Sequence, residues 1–297
     1  MKKTLLIAFM ALGAMLASAQ QVTVTSRTTL LGTSDMAFYP SLNGQGDKLL
    51  YSDADAHGLK MLDLTNNSIT TISDKDGAGF DARWGGDGNI YYVTSAINPS
   101  NHLVYRTGMR YDTGMQANEI VLDAQHGAVR PEVGTRGIAF KGSKRSYASN
   151  SDRGTSVYTT GSQVVITRNG KESRFTPIES YAGYLWASLS PRGDKVAFFA
   201  AGTGIVVIDL QGNVLAQLGN YEMPCWYNND YIVAQNATDD GHQFTSSQIL
   251  LLKADGTFRH ELTPRTSMTM QPTCGGGKIA YTTIDGNLTM ITIDINE

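Results

Sequence analysis

A repeated segment constrains the fold of this chain more than any other feature. Residues 188–199 (SLSPRGDKVAFF) and residues 41–51 (SLNGQGDKLLY) share Ser-Leu, Gly-Asp-Lys and a following apolar run at identical offsets. In both copies a short strand ends in a tight turn, whose Gly supplies a positive φ, and a second apolar strand follows. Two further strands come before the pattern begins again, so one unit contains four strands.

Weaker copies of this unit extend over most of the chain. They begin near Tyr39-Pro40, Ala82-Arg83-Trp84, Arg130-Pro131, Trp186-Ala187, Met223-Pro224 and Gln271-Pro272. Intervals of roughly 37 to 56 residues are typical of propeller blades, and no stretch has the 3.6-residue period of an amphipathic helix. The sequence therefore predicts an all-β fold, a six-bladed β-propeller of four-stranded antiparallel blades, with the copy between about 127 and 180 the least regular.

The two ends of the predicted ring complement each other. The last copy ends after three strands at Glu297, whereas the alternating stretch 22–31 has no copy of its own. We expect this N-terminal strand to complete the last blade, because pairing would close the ring and hide both sheet edges. Residues 20–297 are therefore predicted to form a single propeller domain.

The first 19 residues have the features of a secretory signal peptide. Lys2 and Lys3 precede an apolar run over residues 5–16 and a small-residue cleavage site at residues 17–19. Cleavage before Gln20 would direct the protein to the periplasm or the exterior. No other stretch approaches the roughly 18 apolar residues that a membrane span needs, so no span is expected.

The charge of the chain argues against nucleic acid as a partner. Removal of Lys2 and Lys3 leaves 22 of the 24 basic residues against 27 acidic ones, a formal net charge of −5. A phosphate backbone requires a basic face, and no cluster of Lys and Arg is visible.

The chain has two cysteines, Cys225 and Cys274, and each follows a proline at the start of a neighbouring repeat. One lies a single residue after its proline and the other lies two residues after. Because successive strand residues face opposite sides, this spacing favours two unpaired thiols over a disulfide, although an exported protein would meet oxidising conditions. The spacing matches no metal-binding motif.

Residues 190–198 (SPRGDKVAF) resemble the S-P-D-G-K-x-I-A-F signature of TolB-type propeller repeats, and residues 149–154 (SNSDRG) are similar to their S-D-R-D-G hairpin. Arg192 replaces the usual Asp. The resemblance implies a fold and not an activity. TolB itself has an additional N-terminal α/β domain, for which residues 20–35 leave no room, so a role in the Tol system is not implied. The hydrolase half of prolyl-oligopeptidase-like enzymes is not expected either, because no G-x-S-x-G motif follows.

Four of the five histidines, together with several carboxylates, are predicted on one face of the ring. In a four-stranded blade the loops between the second and third strands emerge on the same face as the loops between blades. Two of these loops are predicted at residues 123–126 and 238–247, the latter being the longest and most polar. The candidate ligand-binding residues are His57, His102, His126, Asp239, Asp240 and His242.

These residue types allow two interpretations. Imidazole and carboxylate groups suit a divalent metal or acid–base chemistry, yet turns also collect Asp, Asn, Gly and His by conformational preference alone. The hypothesis we favour is an exported, monomeric binding or scaffolding propeller without a cofactor, which recognises a protein or peptide in the cell envelope. The alternative is a metal-assisted polysaccharide lyase or hydrolase, which requires the histidine and aspartate loops to converge on one point.

The three tryptophans provide a separate expectation. Trp84, Trp186 and Trp226 fall at corresponding positions in the first strands of their repeats. Aromatic rings at these positions suit either the lining of a channel for a sugar or peptide or packing between neighbouring blades. Because large rings bury the most area, we favour packing between blades for all three.

Overall fold

The computed structural model describes residues 20–127, 129, 131–133, 138–140, 154–180 and 182–296. The predicted signal peptide and residues 149–153 of the S-D-R-D-G-like hairpin lie outside the described residues. Within the described part of the chain the regular structure consists of strands and two short 3-10 turns, with no α-helix.

The strands follow one another in groups along the chain. The chain begins with β1 (Gln21–Leu31) and a 3-10 turn (Thr33–Asp35). The first blade contains β2 (Phe38–Leu42), β3 (Lys48–Ser52), β4 (Leu59–Asp63) and β5 (Ser68–Ser73). The second blade contains β6 (Arg83–Trp84), β7 (Ile90–Ile97), β8 (Val104–Asp112) and β9 (Ala117–His126). The third contains β10 (Pro131–Val133), β11 (Ile138–Phe140), β12 (Ser156–Thr160), β13 (Gln163–Arg168) and β14 (Lys171–Phe175).

The second half of the chain is more regular. The fourth blade contains β15 (Tyr184–Leu189), β16 (Lys195–Ala200), β17 (Gly204–Asp209) and β18 (Val214–Gly219). The fifth contains β19 (Glu222–Trp226), β20 (Tyr231–Asp239), β21 (Phe244–Lys253) and β22 (Arg259–Glu261), and a second 3-10 turn (Arg265–Ser267) follows it. The sixth contains β23 (Thr269–Gly275), β24 (Lys278–Thr283) and β25 (Leu288–Asn296).

The blades are antiparallel sheets whose strands lie side by side in chain order, and together they form a six-bladed propeller. The predicted closure is confirmed, because β1 pairs with β25 and completes the order β1-β25-β24-β23. This pairing extends from Gln21 opposite Asn296 to Leu31 opposite Leu288. The third blade departs from the pattern, since its described strands are divided between a two-stranded hairpin and a three-stranded sheet.

Apolar side chains fill the space between neighbouring blades. Five clusters join residues of two blades; representative pairs in ring order are Leu50 with Tyr92, Ile166 with Phe198, Val207 with Ile232, Val233 with Ile279, and Leu288 with Leu49. A smaller cluster in the second blade includes Val129, just before β10. Burial of one such side chain stabilises the fold by roughly 1.5–3 kcal/mol. The core of the described part of the chain therefore lies mainly at the interfaces between neighbouring blades.

The predicted turns of the repeat are confirmed in detail. Gly46 and Gly193 have φ values of 68° and 73°, as the turn requires. Asn43 Oδ1 accepts hydrogen bonds from the backbone amides of the following Asp-Lys pair at 3.0 and 3.1 Å, and Ser190 Oγ accepts them from the equivalent pair at 3.2 and 3.0 Å. The two copies thus share one hydrogen-bond geometry although the acceptor residue differs.

The inner strands contain a backbone irregularity that the sequence repeat did not predict. In four blades the register between the first and second strands shifts, and a left-handed residue other than glycine lies in the shift. Asp81, just before β6, has the same conformation in the second blade. The five residues and their φ values are Tyr39 (52°), Asp81 (57°), Trp186 (52°), Met223 (52°) and Gln271 (54°). The inner strands of these four blades are therefore bulged near their starts.

The bulge corrects the expectation for the tryptophans. Trp84 and Trp226 lie at equivalent positions opposite the second strand, and their indole N–H groups donate to the carbonyl oxygens of Ser41 (2.9 Å) and Ser188 (3.2 Å) in the preceding blade. These two pack between blades as predicted. Trp186 occupies the bulge itself, three residues before the equivalent position, where its ring centroid lies 5.3 Å from that of Phe199.

Candidate functional site

The loops between second and third strands share one face of the ring with the loops that connect one blade to the next. We call this surface the loop face. Its described segments are residues 32–37, 53–58, 74–82, 98–103, 127, 129, 161–162, 176–180, 182–183, 201–203, 220–221, 240–243, 262–268 and 284–287. The repeat turns with the Gly-Asp-Lys motif lie on the opposite face.

Two hairpins rise above the loop face. In the first blade the second and third strands have five residues each, whereas β7 and β8 have eight and nine and β20 and β21 have nine and ten. About four additional residues in a strand add roughly 13 Å of length. The second and fifth blades are opposite each other in a six-bladed ring, so the two hairpins stand on either side of the channel mouth.

Exposed apolar side chains concentrate on the loop face and the ends of these hairpins. Seven of the 13 exposed large apolar residues among those described lie there: Met36, Phe80, Ile97, Leu103, Val104, Phe244 and Ile284. Phe80 and Ile97 are 60% and 67% exposed. Single exposed apolar residues are ordinary on protein surfaces, but a set gathered on one face is typical of an interaction site.

The loop face is also strongly acidic. Its described segments carry two cations, Lys75 and Arg265, and nine carboxylates, namely Asp35, Asp53, Asp55, Asp74, Asp76, Asp81, Glu179, Asp240 and Asp285. Two of the carboxylates form ion pairs with strand residues: Lys60 with Asp53 (3.3 Å) and Arg83 with Asp81 (2.9 Å). A large excess of negative charge remains after these pairs.

Two acidic groups of the fifth blade lie close enough to influence each other. Burial raises the pKa of Glu222, at the start of β19, and the negative charge of Asp239 at the end of β20 raises it further. The acidic character of the loop face therefore extends inward along this blade.

The predicted histidine His57 lies in the first blade and is exposed. Its ring Nδ1 is 2.7 Å from a carboxylate oxygen of Asp76. This contact joins the loop within the first blade to the loop that leads to the second. His57 and Asp76 thus connect two neighbouring loops of the loop face.

Two predicted histidines belong to the second blade. His102 is at the tip of the β7–β8 hairpin in a left-handed conformation (φ 55°), and its amide donates to the carbonyl of Asn98 at 2.8 Å. His126 was expected in a loop between blades, but β9 continues to this residue. The reason is that Tyr105 pairs with it across the sheet, with the two ring centroids 6.0 Å apart.

The fifth blade holds the remaining three predicted residues, Asp239, Asp240 and His242. The loop expected over residues 238–247 is much shorter, because strand pairing continues to Asp239 and resumes at Phe244. Asp240 closes the turn by accepting hydrogen bonds from the amides of His242 and Gln243, both at 2.9 Å. These hydrogen bonds lower the pKa of the Asp240 carboxyl.

The six predicted residues are thus distributed over three blades. The structure brings together Asp239, Asp240 and His242 on one hairpin and places His102 and His126 in another blade. Among the described residues there is no group of three or more His, Cys, Asp or Glu side chains that could hold a metal ion. The geometry of these loops offers nothing that favours the metal-assisted alternative.

The sequence did not single out the channel mouth as a set of residues. Tyr39, Trp186, Met223 and Gln271 lie half-buried on the inner strands that surround the central channel, and Asp81 is half-buried just before β6. The side-chain oxygen of Gln271 accepts a hydrogen bond from the backbone amide of Tyr39 (2.8 Å). The backbone amide of Gln271 donates to Gln235 Oε1 (2.9 Å), so three blades are joined here. A signal was present, since Tyr39, Met223 and Gln271 each directly precede a proline at the same repeat position.

A separate cleft of about 520 Å³ opens on the loop face between the third and fourth blades. Its lining is mostly hydroxyl-bearing and small residues, namely Ser162, Thr176, Glu179, Ser180, Tyr184, Ala201, Gly202 and Thr203. The Ser180 hydroxyl lies within hydrogen-bond distance of the carbonyls of Gly183 (2.8 Å) and Ala201 (3.0 Å). The cleft is therefore a recess of the loop face between these two blades.

Solved structures with the same fold include TolB proteins. TolB from Acinetobacter baumannii is 17% identical with a TM-score of 0.52, and the match covers 77% of this chain and 55% of that one. The chain thus spans about half the length of this relative. A putative TolB from Agrobacterium tumefaciens is 12% identical with a TM-score of 0.54, with 94% and 100% of the two chains covered. A chain of the Mitotic Checkpoint Complex is 11% identical with a TM-score of 0.60, with 97% and 98% covered.

No protein-family profile matches the sequence, and no curated protein matches it either. At identities this low, the structural similarity establishes the fold. The protein is a six-bladed β-propeller, a fold that it shares with the TolB structures. None of the described residues form a helix long and apolar enough to cross a membrane.

Proposed function

We propose that this protein is an exported, non-catalytic binding propeller that recognises a protein segment at its loop face. The observation that carries the proposal is the concentration of exposed apolar side chains on that face, between two hairpins that stand on opposite sides of the channel mouth. Apolar anchors in a polar surround are the usual composition of a protein-binding surface. A rigid ring that presents loops is suited to this role, and one structural neighbour belongs to a multi-protein complex.

The charge of the face indicates the chemistry of the partner. Nine carboxylates against two cations in the loop segments favour a segment rich in Lys and Arg, which would gain both affinity and association rate. Apolar residues between the basic ones would contact Phe80, Ile97 and Phe244. The predicted partner is therefore a basic segment with interspersed apolar residues.

A selection from a random peptide library displayed on phage tests the proposal. The immobilised protein should enrich sequences with net positive charge and apolar residues. Calorimetry with one enriched peptide should then show binding that weakens about tenfold or more when Phe80→Ser and Ile97→Ser are combined, because anchor residues of an interface typically contribute 1–2 kcal/mol or more each. High salt should weaken binding further.

Met115 provides the matched control. It is 82% exposed, and it lies in the turn between β8 and β9 on the opposite face. Met115→Ser should leave peptide affinity unchanged. Enrichment of acidic peptides, or equal affinity of the wild type and the Phe80/Ile97 double variant, would contradict the proposal.

The export component has its own test. Expression of the full chain in a bacterium should yield a protein in the periplasmic fraction whose N-terminal residue is Gln20, and N-terminal sequencing decides this. We take the exported protein to be a monomer, and light scattering on the purified protein should give the mass of one chain.

A further inference from the structure

The two cysteines of the chain lie side by side between the fifth and sixth blades. Cys225 is in β19 and Cys274 is in β23, the inner strands of successive blades. Their Sγ atoms are 2.6 Å apart and unbonded. An S–S bond measures about 2.05 Å, so these thiols lie closer than unbonded sulfur atoms normally approach.

The spacing that argued against a pair in the sequence is what brings the thiols together. Each blade presents one face to the preceding blade and the other face to the following blade, so two residues that meet across an interface must come from opposite faces. Cys225 pairs with Val233 and Cys274 with Ile279, and these two apolar residues belong to the same cluster between the fifth and sixth blades. The offset by one residue after the bulge therefore points the two thiols toward each other.

We infer that Cys225 and Cys274 form a disulfide that joins the fifth blade to the sixth. The inference does not depend on the proposed binding function. Formation removes one hydrogen from each thiol and passes two electrons to a disulfide-type oxidant, such as oxidised glutathione or a disulfide oxidoreductase. The oxidant first forms a mixed disulfide with one cysteine; the second thiolate then displaces it, and the oxidant leaves as two thiols.

The position of this bond gives it a role in holding the ring closed. The sixth blade is the one that depends on β1 for its fourth strand, and Val22 of β1 belongs to the same apolar cluster that surrounds the cysteines. The bond would enclose the whole of β20, β21 and β22 in a covalent loop. A long enclosed loop is the case in which a disulfide restricts the unfolded chain most.

The experiment compares the reduced full-length mature protein with the same sample after exposure to oxidised glutathione. Expected results are a mass lower by about 2 Da and a cross-linked peptide that contains both cysteines. Thiol titration should fall from two groups to none, and the melting temperature should rise by roughly 5–10 °C. Cys225→Ser and Cys274→Ser should each abolish the shift in melting temperature between reduced and oxidised samples.

A variant with the thiol moved by one residue is the matched control. Thr273 faces the first blade, since its hydroxyl accepts the Leu42 amide at 3.1 Å. The double variant Thr273→Cys, Cys274→Ser therefore carries a thiol on the wrong face of the same strand and should not cross-link to Cys225. Two titratable thiols after oxidation of the folded wild type, disulfide-linked dimers, or efficient cross-linking in the moved-thiol variant would each overturn the inference.

Discussion

The Lys195 side chain of the fourth blade donates a 2.9 Å hydrogen bond from Nζ to the backbone carbonyl of Asn229 in the fifth blade. Lys278 makes the same kind of bond to the Gly46 carbonyl, from the sixth blade to the first, at 2.8 Å. A lysine at the start of the second strand thus joins its blade to the repeat turn of the next blade at these two interfaces.

Lys195→Met should destabilise the protein by about 1–2 kcal/mol, because hydrogen bonds to charged groups contribute roughly 1.5–3 kcal/mol and this one is partly exposed. Urea unfolding of the variant and the wild type measures the loss. Lys171→Met, on the exposed outer strand β14, is the control and should change stability by less than about 0.5 kcal/mol. Equal effects of the two substitutions would show that the contact between blades is unimportant.

Two glycines of one turn should respond differently to alanine. A Cβ at Gly46 would lie 2.5 Å from the carbonyl oxygen of Gly275, and φ there is 68°, whereas a Cβ at Gly44 would have no neighbour within 4 Å. We expect Gly46→Ala to lower the free energy of unfolding by roughly 1–3 kcal/mol and Gly44→Ala to leave it nearly unchanged. Chemical denaturation measures both, and similar costs would contradict this view of the turn.

Removal of residues 20–31 from the mature protein should abolish cooperative unfolding. Without β1 the sixth blade keeps three strands, and β25 is left with an unpaired edge. Circular dichroism during thermal unfolding should show a broad transition well below that of the intact protein. An unchanged melting temperature would mean that the pairing of β1 with β25 contributes little.

Glu222 predicts a pH dependence of stability. Burial, reinforced by Asp239, raises its pKa in the folded state, so ionisation of this group opposes folding. Its destabilising effect is absent below the pKa of the unfolded chain and develops as the pH rises through the folded-state pKa. Glu222→Gln should therefore raise the melting temperature at pH 7 but not near pH 4. An equal rise in melting temperature at both pH values would contradict a raised pKa for Glu222.

The repeat was sufficient to predict the architecture because a blade is specified by local patterns. Gly-Asp-Lys turns and alternating apolar strands gave the blade starts, and the unmatched stretch 22–31 gave the closure. The register within the inner strands could not be predicted, because the left-handed bulge at residues such as Trp186 breaks the two-residue alternation of a strand. This one irregularity misplaced a tryptophan and concealed the close approach of Cys225 to Cys274.

The sequence predicted which loops share the candidate face, but not how their side chains are arranged on it. Loop topology correctly placed His57 and His242 on one side of the ring, yet it could not give distances between blades. The sequence did not show that strand pairing continues as far as Asp239. Thr, Asp and Gln occur both in loops and at exposed strand ends, so they do not mark where a strand stops. Phe80 and Ile97 were not predicted as site residues, because the exposure of an apolar side chain depends on how neighbouring blades pack around it.

The pairing of Gln21 with Asn296 joins positions that are 275 residues apart in the chain. β1 is synthesised before every other strand of the described ring, and β25 is synthesised after every other one. Every partial chain that ends before β25 therefore lacks the partner of its own first strand. The ring can therefore close only after β25 has been synthesised, and until then β1 lacks its partner strand in the propeller.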